Sequence, residues 1–192
     1  MSCDAESIKT PSFTWGEDKE IFYSKLVPWV KAIVENESDY VANLSNIAAA
    51  VYSAIKQSRG ETGTNWYGFY IMRQNKGKSQ LVLGPFNGKI ASRRINLENG
   101  VCGAAARTKK TQLVKDVHKF PGHIACDSNS NSELVVPLFY NENVVGVMDM
   151  DSPLLGGWDE TDQHYMEQIA SIISTSCEWT NEYKPSKFCV KI

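Results

Sequence analysis

The chain has 192 residues, 42% hydrophobic and 22% charged, with a formal net charge of −2. That length suits one domain, or one domain with extensions, and leaves room for a proper core. The near-neutral charge gives no basis for nucleic acid or an anionic membrane as partner, and no apolar run approaches the length that crosses a bilayer. The N-terminus carries no signal-peptide h-region, so the expected location is cytoplasmic. There the five cysteines are expected to be mostly reduced, and their odd count argues against a fully paired disulfide framework.

Residues 1–16 are polar and read as a flexible N-terminal extension. Over 17–34 apolar residues recur at helical spacing, at Ile21, Phe22, Leu26, Trp29, Val30 and Ile33, with Pro28 placed to kink or divide the helix. A second helix follows Ser38, the expected N-cap, with Leu44, Ile47, Ala48, Val51 and Ile55 on one face. Residues 66–72 are aromatic and β-branched, which suits a half-buried strand. Residues 81–83 follow a Lys-Gly-Lys turn and complete a hairpin. Gly84-Pro85-Phe86-Asn87-Gly88 reads as a turn into a third strand over 89–97. A short helix near 103–107 and a short strand at 112–114 come next. The clearest hairpin joins 133–140 to 144–150 through 141–143. A helix over about 160–179 closes the fold, ahead of a loosely held tail at 181–192. These elements predict one α+β domain over 17–180, with a central antiparallel sheet and helices packed on one face. The other face is then free to form a pocket.

Chemistry concentrates in residues 100–137, GVCGAAARTKKTQLVKDVHKFPGHIACDSNSNSELVVP, which hold two cysteines, two histidines and Glu133. Cys126 lies between a Pro-Gly-His turn and a polar loop, a setting where reagents arrive. Cys102 is flanked by residues that open a short helix. Two such thiols suggest redox or nucleophilic chemistry, since the thiolate is the reactive form. Inert packing is the plain alternative. A structural zinc or interaction module is another, because Cys102, His118, His123 and Cys126 are ligand types, although their spacing matches no common zinc pattern. The two histidines otherwise read as partners within the loop. Cys3, Cys177 and Cys189 carry no motif, and Cys177 reads as packing.

The last hairpin adds a geometric expectation. A three-residue loop pairs Tyr140 with Val144, sets Glu133 opposite Asp151, and sets Val135 opposite Asp149. Side chains alternate faces, so Glu133, Asp149 and Asp151 then share one face. Acids that close repel, and at least one has a raised pKa that fits it to donate a proton; together they also suit an amino group. A two-residue loop would shift the register and destroy the cluster, leaving solvated strand-end acids. Trp66 and Tyr70 share a strand face and read either as core or as an apolar wall. Beside acids, such a wall suits a small zwitterion carrying sulfur or methyl.

NWYGFY, LGPFNGKIA, GVCGAAARTKKTQLVKDVHKFPGHIACD, SELVVPL and VGVMDMDSP together resemble the free methionine-R-sulfoxide reductases, small proteins with a GAF-type fold. The resemblance runs over roughly 38–173 and implies reduction of free methionine-R-sulfoxide. It implies Cys126 as the nucleophile toward the sulfoxide sulfur and Cys102 as the resolving thiol. Glu133, Asp149 and Asp151 match the acids that bind the substrate amino group and assist protonation of the sulfoxide oxygen, and Trp66 and Tyr70 match the aromatic wall. Ser92 stands where many family members have a further cysteine. A thioredoxin-type dithiol is the implied reductant, no cofactor or metal is required, and a homodimer is compatible with this expectation. The other function consistent with a GAF fold is a non-catalytic small-ligand sensor.

Overall fold

The computed structural model describes residues 8–123 and 127–179. Cys3, Cys126 and Cys189 therefore lie outside the described residues, as does the tail from 181 onward.

Helix α1 spans Lys19–Ile33, and the Asp18 side chain caps it by accepting from the Glu20 and Ile21 amides. Pro28 lies inside this single helix. The buried stripe Phe22, Tyr23, Leu26 and Val30 continues past it, and tertiary packing of such a stripe outweighs one missing hydrogen bond. Phe13, within the expected extension, is buried with its ring 5.2 Å from that of Phe22. Helix α2 spans Tyr40–Arg59 and is capped by Asp39, not Ser38. The Asp39 carboxylate accepts from the Ala42 amide at 2.9 Å, while the Ser38 carbonyl accepts from the Glu178 amide at 2.8 Å.

Six strands follow in one sheet: β1 Trp66–Asn75, β2 Lys78–Gly88, β3 Arg94–Asn96, β4 Gln112–Val114, β5 Ser132–Tyr140 and β6 Asn143–Ser152. Their spatial order is β3-β2-β1-β6-β5-β4, every neighbouring pair antiparallel. Residues 84–88 are not a turn. They extend β2, with Gly68 opposite Phe86 and Trp66 opposite Gly88, and the third strand shrinks to three residues. Between Gly68 and Tyr70 the register slips by one residue, a bulge at Gly84-Pro85 where a proline without an N–H is tolerated.

The hairpin of β5 and β6 also differs from expectation at its tip. Its loop has two residues, since Tyr140 pairs with Asn143, and both Asn141 and Glu142 have positive φ, 47° and 63°. That is the turn whose twist matches flanking strands. A bulge then moves the pairing from Phe139–Val144 to Leu138–Gly146. The slip restores Glu133 opposite Asp151 and Val135 opposite Asp149. Two deviations cancel, and the acids stay on one face.

Helices α2 and α4 (Glu160–Ser176) pack on the sheet face that carries Tyr67, Phe69, Leu134, Val136, Met148 and Met150, and α1 packs against both helices. The short α3, Gly100–Thr108, packs on the other face with Trp66, Tyr70, Val135 and Val147. Among the described residues no helix is long and apolar enough to cross a membrane.

Asp162 ties the three long helices together. Fully buried, it accepts from Lys19 Nζ at 2.6 Å, Tyr23 Oη at 2.7 Å and Arg59 Nη2 at 2.7 Å. Removing one partner of a buried ionic network leaves the others uncompensated. Asp162→Ala is expected to cost about 3–5 kcal/mol of stability, read as a lower urea midpoint. An unchanged midpoint would contradict the ionic tie.

Candidate active site

Strand β6 runs between β1 and β5, which places its two aspartates in mid-sheet. Asp151 lies between Trp66 and Glu133, and Asp149 between Gly68 and Val135. Glu133, Asp149 and Asp151 are only 6%, 6% and 8% exposed, so they are not solvated strand-end acids. Loss of water disfavours their charged forms, and the neighbouring carboxylates add to this. All three are held well above the usual carboxylate range: Glu133 by burial and then Asp151, Asp149 by burial and then Glu133, Asp151 by burial and then Asp149. Asp149 Oδ1 has no hydrogen-bond partner among the described residues.

Cys102 enters from the opposite side, in the first turn of α3. Gly103 lets that turn approach closely, since a Cβ there would lie 2.7 Å from the Leu97 carbonyl oxygen. The Cys102 thiol is buried, with Sγ 4.0 Å from Glu133 Oε1. Burial, followed by Asp149 and Glu133, pushes this thiol well above the ordinary cysteine range. His123 Nε2 stands 3.4 Å from Glu133 Oε2, and burial lowers its pKa. His118 is elsewhere, with Nε2 2.8 Å from Asn131 Oδ1. Cys177 packs beside Asn43, Sγ to Nδ2 3.6 Å.

Tyr70, Cys102, His123, Glu133, Asp149 and Asp151 line a cavity of about 30 Å³. This is one water molecule's share of liquid volume, so an amino acid fits only with rearrangement of the walls. Beside it stands an aromatic stack. Trp66 lies 5.9 Å from Tyr70 and 5.3 Å from Phe86, at interplanar angles of 22° and 14°. Gly68 makes the stack possible, because a Cβ there would meet Phe86 Cβ at 2.3 Å and Trp66 Cη2 at 2.7 Å. Trp66 Nε1 donates to the Lys89 carbonyl at 3.1 Å. Lys89 Nζ in turn lies 3.1 Å from Asp127, which also accepts from Asn65 Nδ2 at 3.3 Å and the Asn129 amide at 3.0 Å. The Asn129 amide, with Lys89 and Asn65, holds Asp127 below its usual pKa. The residue after Cys126 is thus anchored to Asn65 and Lys89, which flank the strands β1 and β2 that carry the aromatic wall.

A GAF-domain family model matches residues 28–176. A free methionine-R-sulfoxide reductase from Saccharomyces cerevisiae is 39% identical over 161 residues, 83% of this chain and 88% of the relative. One from Escherichia coli is 38% identical over 167 residues, 87% of this chain and 94% of the relative. Among solved structures, the Neisseria meningitidis free methionine-R-sulfoxide reductase in complex with its substrate superposes with a TM-score of 0.78 at 39% identity. It covers 88% of this chain, and this chain covers 95% of it.

The chain belongs to the free methionine-R-sulfoxide reductase family of GAF domains. In this family member the sheet brings Glu133, Asp149, Asp151 and Tyr70, and α3 brings Cys102, to one cavity, with Trp66 stacked on Tyr70. Phe86 and His123 join them unexpectedly. Phe86 stands opposite Gly68 only because of the bulge at Gly84-Pro85, and a straight count along the hairpin would put Pro85 there. No sequence signal fixes where a loop histidine points.

The buried acids burden the fold. Above about pH 4 an unfolded Asp149 releases its proton, whereas the raised folded pKa keeps the proton bound, so stability falls as pH rises between those two values. Asp149→Asn is therefore expected to raise Tm at pH 7–8, by about 2–4 °C for each kcal/mol gained. The gain should fade below pH 4. A lower Tm at pH 8 would mean that the carboxylate is charged and held by unseen donors.

Proposed function

We propose that this chain reduces free methionine-R-sulfoxide to methionine by thiol chemistry, within a catalytic domain spanning 17–180. The observation that carries the reading is the convergence of three buried acids, one with an orphaned oxygen, on a buried thiol beside an aromatic stack. Asp149 and Asp151 take the substrate amino group, whose charge lets them ionise. Tyr70 and Trp66 flank the sulfur and its methyl. The role of Cys126 rests on the family resemblance, and the anchored Asp127 next to it supports the loop's approach to the site.

The Cys126 thiolate attacks the sulfoxide sulfur to form an S–S bond, and the neutral Glu133 carboxyl gives its proton to the sulfoxide oxygen. The resulting hydroxyl passes from that sulfur to Cys126 as the S–S bond breaks, so methionine leaves and Cys126 remains as a sulfenic acid. Cys102 Sγ then attacks that sulfur, water departs, and a Cys102–Cys126 disulfide forms. A thioredoxin-type dithiol takes the oxidising equivalents by exchange. Cytoplasm is the proposed setting, since such dithiols are kept reduced there.

The test is incubation with resolved R and S free methionine sulfoxide, and with the N-acylated R form, plus a dithiol, measuring methionine or its N-acyl derivative. Product is expected from the free R epimer alone. Equal turnover of the N-acylated compound would sink the amino-group reading, because acylation removes the charge those acids recognise. Binding without reduction would leave a ligand sensor in its place.

A further inference from the structure

We propose that the same pocket binds one soft divalent cation, with Zn²⁺ as its representative, in competition with the amino acid substrate. Only the competition rests on the function proposed above; the binding stands on geometry. Cys102 Sγ and one oxygen each of Glu133 and Asp149 lie within 4.8 Å of one another. Glu133 Oε1 is 4.0 Å from Sγ, and His123 Nε2 is 3.4 Å from Glu133 Oε2. A tetrahedral Zn²⁺ with bonds of about 2.0–2.3 Å spaces its donors about 3.3–3.8 Å apart. Shifts of roughly half an ångström to an ångström would close that shell.

Two observations beyond the acid cluster point to a ligand. Asp149 Oδ1 is buried and without a hydrogen-bond partner among the described residues. The cavity of about 30 Å³ between the donors has the size of one water or one ion, and among the described residues its lining includes no lysine or arginine. A cation there offsets the repulsion among the three carboxyls. The donor set selects the ion. Thiolate, imidazole and carboxylate suit Zn²⁺, whereas Mg²⁺ and Ca²⁺ demand more oxygen ligands than converge here. Binding releases the Cys102 proton and occupies the oxygens that take the amino group and donate to the sulfoxide. The ion would inhibit the enzyme and protect Cys102 from oxidation together.

The experiment uses reduced full-length chain carrying Cys126→Ser, titrated with Zn²⁺ against a chromophoric chelator. One ion per chain is expected at micromolar affinity or better, with no response to Mg²⁺. Asp149→Asn and Cys102→Ser, each added to that chain, should weaken binding at least tenfold. His118→Asn should leave it unchanged, and free methionine-R-sulfoxide should displace the ion. Absence of stoichiometric binding, or binding that survives both substitutions at Asp149 and Cys102, overturns the site. Binding that substrate does not displace overturns the competition. A wild-type chain that makes no methionine in metal-free buffer would refute the proposed function and leave the binding result standing.

Discussion

Cys126→Ser is expected to abolish methionine formation, because a hydroxyl is a poor nucleophile toward sulfur and neither of the other two described thiols can take its place. Cys102 is buried at the pocket floor among acids that hold it protonated, and Cys177 is beside Asn43 at the end of α4. Cys102→Ser should behave differently. It should release one methionine per chain and then stall at the sulfenic acid under thioredoxin, with a small dithiol giving partial rescue. Ser92 offers no spare thiol between β2 and β3. Wild type given substrate without reductant should lose two titratable thiols and show a Cys102–Cys126 disulfide on peptide mapping. The environment of Cys102 adds a pH signature. Attack on the sulfenic acid uses the thiolate, so below the raised pKa its rate should climb about tenfold per pH unit. Quenched-flow mapping between pH 6.5 and 9 would follow the disulfide directly. Full steady-state turnover of Cys102→Ser with thioredoxin would show that the reductant attacks Cys126 itself. A substrate-induced disulfide to Cys3, Cys177 or Cys189 would show a different resolving partner.

The core of this fold is legible in the sequence wherever periodicity is strong. The apolar stripes of α1, α2 and α4 are visible because each buries one face, and β1, β5 and β6 are visible as apolar runs because side chains on both sheet faces are covered. Bulges are not visible. Gly84-Pro85 reads as a turn by its punctuation, yet β1 holds both flanks of it extended and the proline falls where no ladder bond is needed. In the sequence the acid cluster follows from a register with three loop residues. The real hairpin uses two and recovers the slip at Val145, which no local propensity encodes. Ser38 and Asp39 are both good caps, and tertiary contact with Glu178 decides between them. The site is legible in its strand residues, whose faces follow from counting. It is opaque in His123, whose approach to Glu133 depends on a loop.

Glu133→Gln is expected to lower kcat at least tenfold while the fold survives. Glutamine keeps the shape and the β4–β5–β6 pairing, in which Glu133 lies between Val114 and Asp151. It cannot give up a proton to a departing oxygen, and a positioned general acid typically contributes about 10²–10⁴-fold. The raised pKa of Glu133, set by burial and by Asp151, favours the neutral carboxyl, the form that can donate. In single-turnover methionine release, which isolates this step from the Cys102 step, the proton donation slows as pH climbs through the raised value. That alkaline limb should be present in wild type and missing in Glu133→Gln. Asp149→Asn should act differently, raising KM more than it lowers kcat, because it removes a partner of the amino group and leaves the proton donor in place. An unchanged kcat in Glu133→Gln, or a surviving alkaline limb, would move the proton donor to Asp149 or Asp151. Loss of the limb together with a stable fold would tie it to Glu133, because a purely structural carboxyl would change Tm and leave the pH profile alone.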